Sequence, residues 1–347
     1  MHYNRRPVTI DDFLRREIDV GSFPSASYAY GHVSGPPTLG ALGNAVAVPF
    51  RVPATVDTIY DCASTTKALI TTTLFLQSGL SIDERFHGYR FRDLLTHTSG
   101  LRAWLPLYAF EDPLAAILEY GPEYEPGTRV VYSDLNFFLL YFALSDYVSR
   151  ANAQIFSPLG LTDALFHPPP ALRPRIAATE WAQAWERKMC AERNLVPITG
   201  FREGLIWGET HDGNSHHLGG TAGNAGLFAT ARAVYRIAQA FIRGELVPPS
   251  LVELATRNYT AGLGENRGLG WHLRIDTSPA TRMLSEGSFG HFGFTGTSVW
   301  FDKQREMLMV LLTNRVHPCA APNAMGAVRG EFHRLVLENS TFSAGAV

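Results

Sequence analysis

Strand-like segments at both ends of the 347-residue chain, with helical segments between them, restrict its fold more than any other feature. Residues 26–33 and 44–52 read as short strands separated by a turn at Gly35, Pro36 and Pro37. Near the other end, residues 269–275, 298–302 and 307–313 read as strands, the last two joined by the polar residues 303–306, a connection of hairpin length. Between these ends lie helical stretches at 64–79, 92–96, 113–120, 135–149 and 182–193, punctuated by Gly121-Pro122, Pro126-Gly127 and the prolines 168–170. The first is apolar nearly all round, the mark of a buried helix, and stops at Gly79, a residue suited to the left-handed conformation that ends helices. Helices at 232–243 and 325–338 complete the pattern. Strands from both ends must share one sheet, so the expected fold is α/β (α+β), an antiparallel sheet flanked by helices. Residues 1–60 and 225–347 are expected to form the sheet domain and residues 61–224 an inserted helical domain, with a ligand crevice between the two.

Composition agrees with a packed protein of roughly two domains, since 46% of the residues are apolar and 18% charged. The net charge is −2, with no block of like charges, which excludes electrostatic capture of nucleic acid. The longest apolar run, 137–144, falls well short of the ~18 residues a membrane-spanning helix needs, so no transmembrane segment is expected. The start MHYNRRPVTI has no apolar signal core, so the chain is expected in the cytoplasm, or exported with its leader already removed. Cys62, Cys190 and Cys319 lack C-x-x-C spacing and read as reduced packing residues. Nothing in the residues fixes an oligomeric state.

Three short segments could carry chemistry. The chain has only three lysines, yet one completes Ser64-x-x-Lys67 at the head of the buried helix. That spacing sets the amine one turn from the hydroxyl on the same face. A serine hydroxyl becomes a useful nucleophile when a base takes its proton, and lysine can be that base if burial or positive neighbours lower its pKa. The helix N-terminus adds a positive field for a developing oxyanion. The same two residues also fit a capping serine and a snorkelling lysine. The second segment is Tyr132-Ser133-Asp134, where the phenol could join a proton relay and the carboxylate bond the lysine or a substrate amide; an anchoring aromatic and a helix cap are the alternatives. The third, 290–297, is glycine-dense and precedes a strand, so its edge could offer an N–H to a carbonyl oxygen, or it could be a β-bulge with a solvated histidine.

Taken in order, Ser64-x-x-Lys67, Tyr132-x-Asp134 and His291-x-Gly293 resemble the motif set of the serine β-lactamase and penicillin-binding protein superfamily, on its class C-like side of carboxypeptidases and esterases. The stretches RDLLTHTSGL (92–101), PGTRVVYSDLNFFLL (126–140), LGGTAGNAGLFATA (218–231) and GFTGTSVWFD (293–302) resemble it too. The resemblance implies that Ser64 is acylated, that Lys67 accepts its proton, and that Tyr132 relays a proton to the leaving group. It further implies an oxyanion hole at the backbone N–H groups of Ser64 and Phe294, and substrate contacts from Asp134, His291 and Gly293. No metal or organic cofactor is implied, and the expected partner is a small-molecule or peptide substrate. Asp134 and His291 depart from the pattern, which usually has asparagine and lysine there. A histidine with a pKa near 6.5 is mostly neutral at pH 7 and gives a substrate carboxylate less charge than lysine. This shifts the expectation from β-lactams toward esters, or amides of D-amino acids. Arg315 could replace the missing charge or be an ordinary surface arginine.

The rival expectation is a catalytically weak penicillin- or peptidoglycan-binding sensor or scaffold of the same fold; retention of Ser64, Lys67 and Tyr132 together argues against it. His211, Asp212, His216 and His217 do not follow a zinc motif and read better as a wall of the site. Absence of G-x-S-x-G, Walker and G-x-G-x-x-G motifs argues against an α/β-hydrolase and against nucleotide binding.

Overall fold

The structure, a computed structural model, describes residues 8–198, 200–320 and 325–343. Residues 1–7, most of the start in which no signal core was read, lie outside them. One sheet contains β1 (Ser25–His32), β2 (Thr38–Val46), β3 (Val52–Pro53), β4 (His272–Leu273), β5 (Phe289–Phe292), β6 (Ser298–Asp302) and β7 (Met307–Thr313). Its order is β3-β2-β1-β7-β6-β5-β4, with antiparallel neighbours throughout. The strands therefore come from both ends of the chain, and the first pairs with the last: Ala26 lies opposite Thr313.

Both faces of this sheet are covered, which explains why β7 is an unbroken apolar run rather than an alternating one. Leu308, Val310 and Leu312 join a core shared with α4 (Ala231–Ile242) and the helical middle of the chain, whereas Met307, Met309 and Leu311 face the opposite way. On that second side α1 (Ile10–Asp19) and α5 (Met325–Ser343) supply Phe13, Leu14, Phe332 and Val336. Among the described residues no helix is long and apolar enough to cross a membrane.

Several elements differ from the sequence-based expectation. Helix α1 was not foreseen, although Thr9 and Asp12 form a capping box, each side chain bonding the other's backbone N–H. The second strand spans Thr38–Val46 rather than 44–52, because pairing with β1 sets its register from Thr38 opposite Tyr30. The helix expected over 135–149 is two, Asp134–Ala143 and Tyr147–Ala151, interrupted where Asp146 takes a left-handed φ of 55°. Residues 269–275 contribute only the two-residue β4, held to Phe289 and Gly290.

Phe332 is fully buried and packs its ring 6.2 Å from that of Tyr28, so it fastens α5 to the sheet. Phe332→Ala is expected to lower the unfolding free energy by about 3–5 kcal/mol, the usual range for emptying a large core site. Glu253→Ala, at an exposed position, should stay within about 0.5 kcal/mol. Denaturant midpoints of the two variants check both values.

Candidate active site

The two-residue strand Tyr60–Asp61 delivers the chain to a tight turn, and the turn to a helix. Ala63 adopts a left-handed φ of 46°, held there by the buried Asp61 carboxylate, which accepts its N–H at 2.8 Å. Successive N–H groups of Thr65, Thr66 and Lys67 bond the carbonyls of Cys62, Ala63 and Ser64, so Ser64 heads the helix and Lys67 follows one turn later. The helix then runs through a π-helical stretch, Lys67–Thr72, into α2 (Thr73–Gln77), and ends near Gly79 at φ 78°. The Lys67 side chain is 0% exposed. Its Nζ donates to Ser64 Oγ at 2.8 Å and to the Asn224 carbonyl at 3.0 Å, and lies 2.7 Å from Asp134 Oδ1.

The 132–134 segment is clamped onto residues 97–103. Ser133 N–H donates to His97 Nδ1 at 3.0 Å, Ser133 Oγ to the Arg102 carbonyl at 2.6 Å, and Asp134 N–H to the Ala103 carbonyl at 3.1 Å. The Tyr132 ring lies 4.5 Å from His97, and Lys67 Nζ stands 5.2 Å from its centroid. Asp134 opens the helix α3 (Asp134–Ala143), but its carboxylate does not act as the cap; it turns to Lys67 instead.

The third segment is tied to the first from below. Thr295 Oγ1 donates to the Asp61 carbonyl at 2.9 Å and Thr297 Oγ1 to the Cys62 carbonyl at 3.0 Å, so the turn after β5 and the approach to Ser64 move as one piece. Gly293 is required in this arrangement, since a Cβ there would stand 2.0 Å from Thr297 Oγ1 and 2.8 Å from the Cys62 carbonyl. Arg329 donates to the Gly293 and Thr297 carbonyls at 2.9 and 3.0 Å, and Arg315 Nε to the Phe294 carbonyl at 2.7 Å.

A cavity of about 790 Å³ opens over these groups, lined among others by Ser64, Tyr132, Asp134, Gly293, Phe294 and Arg315. His291, expected on this surface, is 1% exposed and is not among the lining residues; its place on the wall is taken by His272, one of two histidines there, whose ring meets His291 edge-on at 4.5 Å. His291 Nδ1 donates to the Phe292 carbonyl at 2.7 Å. His211 also lines the cavity, stacked on Phe294, and lies 3.2 Å from the Glu180 carboxylate. His216 turns to Glu209 at 3.4 Å, and Asp212 caps the helix Gly213–His217 through Ser215 N–H.

Electrostatics correct one expectation about the lysine. Burial alone pushes the Lys67 amine down, as anticipated, but the Asp134 carboxylate and then Tyr132 more than offset it, leaving the pKa above its ordinary value. Asp134 is itself raised by burial, with Lys67 opposing. Burial likewise raises the Tyr132 phenol against the pull of Lys67. His97, His272 and His291 are all held well below 6.5, by burial first and then by Arg267 and Lys67 nearby, so a neutral imidazole group surrounds Tyr132.

Sequence reasoning missed Asp61, His97, Asn224, Arg267 and Arg329. His97 and Asn224 sit inside the stretches singled out at 92–101 and 218–231, so those stretches were visible but the atoms that matter were not. Asp61 carries no spacing signal, because its partners Ala63 and His211 are backbone N–H groups, one of them far along the chain.

A family model described as "Beta-lactamase" matches residues 42–331. A protein of Escherichia coli (strain K12) named "Putative D-alanyl-D-alanine carboxypeptidase" is 27% identical over 325 residues, spanning 78% of this chain and 72% of that one. Among solved structures, the octameric penicillin-binding protein homologue from Pyrococcus abyssi aligns with a TM-score of 0.69 and 18% identity, over 95% of this chain and 76% of the other. The D-amino acid amidase from Ochrobactrum anthropi SV3 aligns with a TM-score of 0.68 and 20% identity, over 96% and 97%. The antiparallel sheet with its flanking helices is thus of the β-lactamase/transpeptidase kind, and the chain belongs to the beta-lactamase family.

Proposed function

We propose that the chain is a serine hydrolase that forms an acyl-enzyme at Ser64. The observation that carries this reading is the 2.8 Å contact between Ser64 Oγ and Lys67 Nζ on the floor of an open cavity that Tyr132 also lines. In this reading Ser64 attacks a carbonyl carbon while its proton moves to Lys67, and Tyr132 hands a proton to the leaving group. The backbone N–H groups of Ser64 and Phe294 receive the oxyanion; the threonine ties from 295 and 297 to residues 61 and 62 support that role by holding the two segments together. Water then releases the acyl group. The family, and relatives named as a carboxypeptidase and an amidase, support hydrolysis at a carbonyl.

The substrate we favour is an ester, or an amide of a D-amino acid, with an apolar portion. Trp104, Trp185, Met189 and Phe294 line the cavity and suit an apolar group. The third motif offers a buried neutral imidazole where an anionic β-lactam would call for a cation; the cations that line the cavity are Arg267, Arg315 and Arg329, with Arg315 set 4.5 Å over the Phe294 ring.

Incubation with a fluorophosphonate, a fluorescent penicillin and p-nitrophenyl butyrate tests the proposal. Mass addition at Ser64 and ester turnover are expected, with no lasting penicillin adduct; Ser64→Ala should lose the adduct and at least about 10³-fold in kcat/KM. A long-lived penicillin adduct would move the assignment to a carboxypeptidase, and no adduct with any probe would overturn it.

Asp61→Ala removes the acceptor of two buried N–H groups, those of Ala63 and His211. Each unpaired group costs about 1–3 kcal/mol. A fall in stability of at least about 2 kcal/mol is therefore expected, together with slower fluorophosphonate labelling of Ser64 as the left-handed turn relaxes. Thermal melts and labelling rates measure the two effects.

A further inference from the structure

Lys67 meets three acceptors, and only one of them can keep a proton. Ser64 Oγ is the group to be deprotonated and the Asn224 oxygen belongs to an amide, whereas Asp134 Oδ1, 2.7 Å away, is a carboxylate. That oxygen is buried and has no aligned hydrogen bond to hold it ionised, so the ammonium alone balances its charge. Resting on the serine hydrolase reading, we infer that Asp134 is the terminal proton acceptor for Ser64, with Lys67 passing the proton between them.

The atoms balance. An N–H bond of the Lys67 ammonium breaks as an O–H bond forms on Asp134, and two opposite charges disappear beside a lysine that solvent does not reach. The amine, turned about its Cε–Nζ bond, then takes the Ser64 hydroxyl proton as the Oγ–C bond forms and the carbonyl π pair moves to oxygen. Collapse of that intermediate breaks the bond to the leaving group, which receives a proton from the restored ammonium through the Tyr132 phenol. The proton stored on Asp134 returns to Lys67, and the resting pair is re-formed. An asparagine at this position could not store it.

The surroundings favour this exchange. The groups facing the pair are His97, Tyr132, Asp212, Arg267, His272 and His291. The three imidazoles are neutral, so none supplies a proton in place of the Lys67 ammonium, and the raised phenol of Tyr132 is a poor competitor as base. Asp212 repels a charged Asp134 and so favours its protonated form. With the lysine held above its ordinary pKa, loss of its proton to bulk water at pH 7 would be slow to compete with a carboxylate at contact distance.

The test is the second-order rate at which a fluorophosphonate phosphonylates Ser64, with loss of fluoride, in the full chain and in Asp134→Asn from pH 5 to 10, with thermal melts of both. In the unsubstituted chain labelling fails only when Asp134 is protonated while Lys67 stays charged, so its acid limb follows a carboxyl group. In Asp134→Asn the lysine proton must leave for solvent. The expected limb therefore moves up by at least one pH unit: labelling at pH 6.5 falls at least tenfold and recovers to within threefold at pH 9.5. Asp134→Glu, which keeps a carboxylate, should keep the limb low and serves as the second variant if the amide fails to fold. A limb that stays in place or moves down, or a loss equal at every pH, would overturn the relay. Absence of labelling in the unsubstituted chain at any pH would instead overturn the hydrolase reading beneath it.

Discussion

The amine of Lys67 is sealed from solvent, so its N–H bonds and its charge must be met by protein acceptors or cost several kcal/mol. Those acceptors come from three separate parts of the chain: the turn at Ser64, the loop at Asn224 and the start of the helix at Asp134. Meeting them all brings three segments, far apart in sequence, to one point. The π-helical stretch begins at Lys67 itself; such stretches are uncommon in helices and recur at functional sites. The cavity exists where these segments meet the sheet.

The sheet provides the rigid side. Apolar layers cover both of its faces, and the turn after β5 is fastened to the Ser64 approach by two threonine hydroxyls and to α5 by Arg329. Ser64 and the strand edge beyond it are therefore set by short bonds to buried backbone rather than by flexible surface contacts. Asp61 extends the same framework to the opposite wall through the His211 N–H.

Much of this was legible in the residues where a single physical signal dominates. β6 and β7 matched at both ends because each is an apolar run bounded by turn residues. The helix Pro113–Tyr120 matched because a proline opens it and a glycine closes it. Ser64 and Lys67 meet as their spacing suggested, and Asp134, singled out with Tyr132 through the family resemblance, lies against Lys67. What stayed hidden depends on tertiary partners. The register of β2 follows from its pairing with β1, and β4 is a strand only because two residues of β5 lie beside it. His291 looked like a surface group, since one sequence cannot tell which side of a strand end faces a cavity. Asp134 was in view as a partner for Lys67, but that its pull outweighs burial and keeps the amine charged depends on their contact at 2.7 Å, which spacing does not reveal.

The meeting of β1 with β7 at the middle of the sheet has a consequence for synthesis. Ala26 cannot find Thr313 until nearly the whole chain has left the ribosome, so β1 and β2 emerge early as a hairpin whose two apolar faces have nothing to rest on. The helical middle, richer in local contacts, can condense before the sheet closes. A chaperone that shields the nascent hairpin would then act in the interval during which this architecture is most exposed to wrong pairing.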